Sequence, residues 1–453
     1  MNVQNNKLEF YGGRIGPWIP IGLLIIGMIA VSVLGYTDFY VYNLLTLGAI
    51  LIAFLFAKGK TTFGNTAIAG LQDSMLAILI LAFLLAGILS KLLRMSGLIE
   101  GLVYLASIVN LNPGFIPVVG FLICCLISTS CGTSSGSIVA VLPVMLPIGI
   151  ELGCDPSLIC GAVISGALFG DNIAPISDTT IASALTQESN INEVVRTRLP
   201  YALVAGGISA ILFVTLGMIT SDTSAAEITA DGSTVRALIL LVVPVTMIYL
   251  MKKGWDLAGT LLICDLMAAV INLGLGLISP AQMFGAEGPL VSGINGMMDM
   301  IIFCIFFFIV IQIMKDSGAL DALGETLTKL CKSARSVQLV VMAASAFGTI
   351  ITGGSSTGIT LIGPMANKVG KGFHISGPRM ANLLDATACA TCGLVPFCTP
   401  YLLSLSIGTE VAGIPDDFSY LSILKFALHP IMLIMVFVLC IAFNKGKIYE
   451  EQR

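Results

Sequence analysis

Charge is what this chain has least of. Asp, Glu, Lys and Arg make up 11% of its 453 residues, against about 25% in soluble domains. With 56% hydrophobic residues and a mean hydropathy of +0.98, the chain cannot cover a water-facing surface with polar groups. Basic clusters are missing too. The 22 Lys and Arg are scattered among 26 Asp and Glu, for a net charge of −4, which excludes nucleic acid and an anionic membrane surface as partners. The short apolar/polar alternation of barrel strands is absent, so a β-barrel is excluded. The opening MNVQNNKLEFYGGR is too polar for a secretory signal, and the apolar run after it lacks a small-residue cleavage site. The first span is therefore expected to stay. No cofactor motif is present, and the only histidines are His374 and His429.

What the sequence does have is repeated apolar stretches near the roughly 20 residues a helix needs to cross a hydrocarbon core. They predict an all-α polytopic membrane protein with about 11 to 13 transmembrane helices, some segments being re-entrant or broken. Cys124, Cys125, Cys160, Cys264, Cys304 and Cys440 lie inside these runs, where a thiol acts as a small hydrophobe. Orientation follows from cytoplasmic excess of Lys and Arg. Lys7 and Arg14, Lys58 and Lys60, Arg196 and Arg198, Lys252 and Lys253, and the tail with Lys445, Lys447 and Arg453 are assigned inside. The loops 220–234 and 279–294 carry no Lys or Arg and are assigned outside.

Two stretches about 220 residues apart share an order of features. GLQDSMLAILI, KLLRMSGL, CGTSSGS and FGDNIAPISDTT (70–180) are echoed by GINGMMDMIIF, IMKDSGAL, GGSSTGI and LLDATACATCGLVP (293–396). Up to its motif aspartate the first unit carries only Lys91 and Arg94, whereas the second carries Lys315, Lys329, Lys332, Arg335, Lys368, Lys371 and Arg379. Opposite orientation accounts for that asymmetry, and inverted repeats with broken helices are the plan of many secondary transporters. The chain is accordingly divided into N-terminal helices (1–64), a first inverted repeat (65–198), connecting helices (199–290), a second inverted repeat (291–410), and a C-terminal helix with its tail (411–453).

Acids and hydroxyls in apolar context mark the chemistry. A carboxylate at membrane depth costs roughly 2.5 to 3.5 kcal/mol, so its retention points to function. Asp171 and Asp178 lie in SGALFGDNIAPISDTT, which Gly170 and Pro175 are expected to break. Freed carbonyls, the two carboxylates and the hydroxyls of Ser177, Thr179 and Thr180 make hard oxygen ligands for Na+, with the ion expected at Asp171, Asp178 and Thr179. Asp385, with Thr387, stands in the second repeat before Gly393 and Pro396 and is taken as the counterpart acid. One buried acid that holds either H+ or Na+, never both, couples the two ions. The hydroxyl-rich loops contribute Thr133, Ser134 and Ser135, and Ser355, Ser356 and Thr357. Asp265, in LLICDLMAAVINLG, is either a relay acid or the partner of a buried hydroxyl.

Rival chemistries fare worse. Both loops match the G-x-S-x-G nucleophile elbow, yet a serine nucleophile needs a base, and a hydrolase has no use for two elbows. Paired aspartates also suit an intramembrane aspartyl protease, but dense Ser and Thr around both acids fit cation coordination better.

GALFGDNIAPISDTT (166–180), preceded by GTSSGS about 35 residues upstream, resembles the NhaC-type sodium/proton antiporter family, within a superfamily of inverted-repeat carriers. The likeness extends from about residue 65 to 410. It implies Na+/H+ exchange across a bacterial inner membrane, a multi-pass protein with both termini cytoplasmic, and a homodimer. Carried over by position, Asp171, Asn172, Ser177, Asp178, Thr179 and Thr180 are ion-site residues, joined by Thr133, Ser134 and Ser135. The chain departs from the common pattern at Asn172, where Lys is frequent, and at Ala174, where Ser is frequent. Two readings follow. One is a Na+/H+ antiporter that has lipid, Na+ and H+ as its partners. The other is a Na+-coupled carrier of a small amino or organic acid, held by half-helix N-termini.

Overall fold

The computed structural model describes residues 7–13, 15–33, 39–108, 112–221, 232–319, 331–415 and 417–443. Arg14, Lys329, Lys445, Lys447, Arg453 and most of the loop 220–234 lie outside these residues. No strand forms among the described residues, and eight described helices are long and apolar enough to cross a membrane. Four shorter apolar helices accompany them. In chain order the α-helices are α1 (Trp18–Val33), α2 (Phe39–Phe56), α3 (Lys60–Leu71), α4 (Ser74–Arg94), α5 (Leu98–Ile108), α6 (Ile116–Cys131), α7 (Ser134–Glu151), α8 (Pro156–Ile173), α9 (Asp178–Thr186) and α10 (Ile191–Thr220). They continue with α11 (Val242–Lys252), α12 (Leu257–Gly274), α13 (Pro280–Met283), α14 (Pro289–Asp316), α15 (Ala334–Thr352), α16 (Ser355–Gly372), α17 (Gly377–Cys392), α18 (Thr399–Thr409), α19 (Tyr420–Leu424) and α20 (Leu428–Ala442).

The chain forms two compact units. One comprises residues 1–81 and 298–332, the other 82–297 and 333–453. The smaller is held by an apolar cluster of Leu8, Phe10, Ala53, Ala57, Phe63, Ile309 and Ile313. Its helix α3 was not expected from hydropathy, because KTTFGNTAIAGL is too polar to read as a span. The larger unit contains both motif regions.

In the larger unit the repeat is visible as a matched set of four helices. α6, α7, α8 and α9 correspond to α15, α16, α17 and α18. Each set opens with two helices joined at a left-handed glycine, Gly132 (φ 69°) or Gly353 (φ 66°). Each then contains a helix interrupted around a proline, Pro175 or Pro396, before a short last helix. The stretch 378–406 is therefore two helices. Packing between the sets is reciprocal: α9 lies on α16 and α17, while α18 lies on α7 and α8.

The two sets differ by a turn. Ser128 Oγ donates to the Ala167 carbonyl at 2.6 Å, and Ser345 Oγ donates to the Leu384 carbonyl at 2.7 Å. From those bonds to the turn glycine there are four residues in the first set and eight in the second; to the breaking proline there are eight and twelve. Four residues are about one α-helical turn, so in the second set the cross-bond lies one turn further from both the turn glycine and the breaking proline. In this register Asp385 stands level with Leu168 and Asp171 with Ala388. Asp385 is thus not the positional counterpart of Asp171.

Gly170 does not break α8. It lies inside the helix, where an added Cβ would come within 2.5 Å of Ser128 Cβ and of the Thr129 nitrogen. Gly166 is similarly pressed against α6, where an added Cβ would lie 2.2 Å from the Phe121 carbonyl oxygen. Small residues here permit close helix approach. The break itself is proline's doing: Pro175 has no N–H to give to the Asp171 carbonyl and cannot continue the helix.

Gly166→Ala is expected to cost about 1 to 3 kcal/mol by overpacking and to lower the melting temperature of the detergent-solubilised protein. Gly207→Ala, where nothing lies within 4 Å, should raise it or leave it unchanged, since Ala favours a helix by about 1 kcal/mol over Gly.

Candidate functional site

The break between α8 and α9 places its acids in three different environments. Asp171, in the last turn of α8, is 3% exposed. Its Oδ1 accepts from Ser177 Oγ at 2.6 Å, and Ser177 Oγ lies 2.9 Å from Thr179 Oγ1. The Ser134 hydroxyl, from the first turn of α7, also reaches this carboxyl. Asp171 is therefore surrounded by hydroxyls, and no cation pairs with it among the described residues. The backbone of the break is pressed onto the α6–α7 turn: a Cβ on Gly132 would meet Ile176 at 2.7 Å and the Ser177 nitrogen at 3.0 Å. That contact and the positive φ explain why a glycine opens the GTSSG motif.

Asp178, expected to be buried, is exposed at the first position of α9. Its Oδ1 accepts from the Thr179 N–H at 3.0 Å, and Ser356 Oγ, from the first turn of α16, donates to its Oδ2. A carboxylate at a helix start is favoured by the helix dipole, so Asp178 joins the two repeats without leaving solvent.

Asp385 is 0% exposed, and it is fully engaged. Arg198, also 0% exposed, donates from Nη1 to Asp385 Oδ2. Thr180 Oγ1 at 3.2 Å and Ser183 Oγ at 3.4 Å donate to the same oxygen. Asn172 Nδ2 at 3.2 Å and Cys389 Sγ at 3.1 Å donate to Oδ1. Arg198 Nη1 also donates to the Asn172 main-chain carbonyl and to Thr180 Oγ1 at 3.3 Å, and its Nε to Asn382 Oδ1 at 2.9 Å. The Asn172 carbonyl is one that the helix break sets free, and the guanidinium caps it.

Arg198 is the functional residue that sequence reasoning missed. It stood among the cytoplasmic charges that orient the spans. In the structure α10 begins at Ile191, with Asn190 as its cap accepting from the Asn192 N–H at 2.9 Å. Recognising that Asn cap would have put Arg198 two turns inside the helix. Arg196 remains exposed and keeps its topological meaning. Arg379, counted among the loop charges of the second repeat, is likewise buried, beside Gln338 and over the Tyr201 and Phe437 rings.

The remaining sequence candidates divide. Asn172, Ser177, Thr179, Thr180, Ser134 and Ser356 converge on the acids. Thr133 caps α7 through the Gly136 N–H, Thr357 turns back to the Gly354 carbonyl, and Thr387 is buried with no hydrogen-bond partner for its hydroxyl among the described residues. Ser135 and Ser355 lie half-buried in the first turns of α7 and α16. Ser183, Asn382 and Cys389 are additions. Cys389 Sγ lies 3.7 Å from Thr179 Oγ1 and so links the two clusters.

Removing one partner of a buried ion pair typically costs about 3 to 5 kcal/mol. Arg198→Ala is therefore expected to lower the thermal stability of the purified protein sharply, and Arg198→Ala with Asp385→Asn to recover part of the loss. Equal melting temperatures for the single and double variants would show that the two side chains are not energetically paired.

A family model described as the Na+/H+ antiporter family matches residues 13–218 and 222–444. The malate-2H+/Na+-lactate antiporter of Bacillus subtilis is 31% identical over 153 residues, 34% of this chain and 32% of that protein. The Na+/H+ antiporter NhaC of Alkalihalophilus pseudofirmus is 27% identical over 223 residues, 47% of this chain and 48% of that protein. The arginine/ornithine antiporter ArcD of Halobacterium salinarum is 30% identical over 104 residues, 23% and 21% of the two chains. The chain thus spans about half or less of the length of these curated relatives. Among solved structures, the YdaH transporter of Alcanivorax borkumensis aligns over 87% of this chain and 91% of its own, with 14% identity and a TM-score of 0.39. Since the family model covers nearly its whole length, the chain belongs to the Na+/H+ antiporter family.

Proposed function

We propose that the chain exchanges Na+ for H+ at Asp171 by alternating access across a bacterial inner membrane, with both termini cytoplasmic. One observation carries the reading: Asp171 is a buried carboxylate facing only hydroxyls, while the neighbouring buried acid, Asp385, is neutralised within the protein by Arg198. The oxygens of Asp171, Ser177, Thr179 and Ser134, with the Asp171 carbonyl that Pro175 deprives of its donor, form a hard ligand set suited to a small cation. Without the cation the same carboxyl takes a proton, and exclusion of one ion by the other provides the coupling. Asp178, exposed beside Ser356, is the acid through which cations approach. The pseudo-repeat supplies two related arrangements of the broken helices, opening the site to either side.

A second reading draws on the relative named for malate and lactate. The first turns of α7 and α16, rich in Ser and Thr, present helix N-termini near Asp171 and Asp178 and suit a carboxylate co-substrate.

In proteoliposomes with an internal pH dye, a Na+ gradient alone is expected to drive proton movement in the wild type. Asp171→Asn should reduce it by roughly 100-fold, the loss expected when an intramembrane acid on the ion path is removed. Ser177→Ala should raise the half-saturating Na+ concentration by about ten-fold, equivalent to one charged hydrogen bond or ligand contact. Half-saturating Na+ should also rise as pH falls, because H+ competes for Asp171. Proton flux that appears only when malate, lactate or an amino acid is added would replace the first reading with the second.

A further inference from the structure

Helix α12 carries a buried acid that the site above does not use. Its outward face is apolar and exposed, with Leu262, Leu266 and Val270 four residues apart. Its inward face is Leu261, Asp265, Ala268 and Asn272, all buried. Neither carboxyl oxygen of Asp265 is solvent-accessible, and neither has a hydrogen-bond partner among the described residues. Above and below it, Thr260 Oγ1 and Asn272 Oδ1 are buried and unpaired too. Asn272 Nδ2 reaches the Leu92 carbonyl of α4 at 3.3 Å, and on α4 the Ser90 hydroxyl is also without a partner. Asp265 and Asn272 thus form a short polar column on one face of α12, two turns, about 10 Å, apart.

Described charged and titratable side chains on this helix and its neighbours are engaged elsewhere. Cys264 turns its thiol to the Val243 carbonyl of α11, and Asp256 caps the start of α12. Lys253, just after α11, lies over the Tyr249 ring. On α4, Lys91 pairs with the Glu410 carboxylate and Arg94 donates to the Glu410 carbonyl. None is bonded to Asp265. The contrast with Asp171 is in the hydrogen bonds: Asp171 accepts from the Ser177 hydroxyl, whereas neither Asp265 oxygen has a partner among the described residues. A proton needs only the carboxyl itself. An ionised carboxylate would leave every lone pair unpaired in an apolar setting, and protonation removes that charge.

We propose that Asp265 is a second proton-binding site, separate from the cation site, on a polar column running along the inward face of α12. Its part in coupling rests on the antiporter reading. Its protonation does not. In the Na+/H+ cycle Asp265 takes up and releases a proton when movement of α12 against α4 and α11 admits water to the column, while Na+ is handled at Asp171.

Two measurements on the full-length protein test this. Infrared spectra recorded across a pH series should contain a protonated-carboxyl stretch at neutral pH that vanishes in Asp265→Asn and shifts in Asp265→Glu. In proteoliposomes, Na+-driven proton movement should fall about 100-fold or more in Asp265→Asn, in the range seen when a proton-transfer group is lost, while exchange of radioactive Na+ for Na+ continues. A carboxyl spectrum unchanged by either substitution, or an unchanged proton flux, overturns the proposal. If the wild type moves no protons with Na+, the antiporter reading fails, and the infrared band alone decides the protonation of Asp265. Should Asp265→Asn fail to fold, as judged by gel filtration, the band shift of Asp265→Glu still decides it.

Discussion

The buried pair of Arg198 and Asp385 is the contact on which the arrangement of the motif helices rests. One guanidinium binds a carboxylate of α17, an amide of the same helix, a hydroxyl of α9 and the main-chain carbonyl that α8 exposes where it breaks. A broken helix in an apolar core leaves backbone groups that must be satisfied inside the protein, and Arg198 does this from α10. Lysine has neither the planar fork nor the number of donors for it. Because the guanidinium and the carboxylate are both dry, each is tolerable only while the other is present, which ties four helices to one geometry.

That pairing also sorts the acids. Asp385 accepts from five different side chains, which engage both of its oxygens. Asp171, one helix away, accepts only from hydroxyls and keeps its charge uncompensated by any basic residue. Asp178 stays in solvent and bridges to Ser356. Three aspartates that look alike in composition and context therefore stand in three environments: one paired with Arg198, one among hydroxyls and one exposed. The one-turn offset of the cross-bond in the second set underlies the asymmetry, because it puts Asp385 out of register with Asp171 and opposite Asn172 and Arg198 instead.

Glycine provides the close approach that such a site requires. Gly166 and Gly170 let α8 lie directly on α6, and Gly132 brings the α6–α7 turn onto the backbone of the break. The Ser134 hydroxyl reaches Asp171 because of that contact. The hydroxyl shell around the acid is thus a product of backbone proximity and not of long side chains.

Much of this was legible in the chain itself. Scarcity of charge and repeated apolar runs determine an all-α membrane protein, since only helices and closed barrels satisfy their backbone in lipid and the alternation of barrel strands is absent. Pro175 and Pro396 determine the two helix breaks, because proline has no N–H to give. The paired GTSSG and GSSTG segments determine the matched turns, and the surrounding hydroxyls single out Asp171. Tertiary structure alone decided the rest. A basic residue at the head of a span reads as a topological marker whether it faces water or the core, and only packing turned Arg198 inward and left Arg196 outside. A one-turn difference between repeats cannot be seen in motifs aligned by their loops, so the true partner of Asp385 emerged only from the facing helices. Gly170 reads as a breaker by composition, yet neighbouring α6 made it a contact residue. The chemistry of each residue is local and can be read along the chain; which groups meet depends on helix register and facing, which are properties of the folded whole.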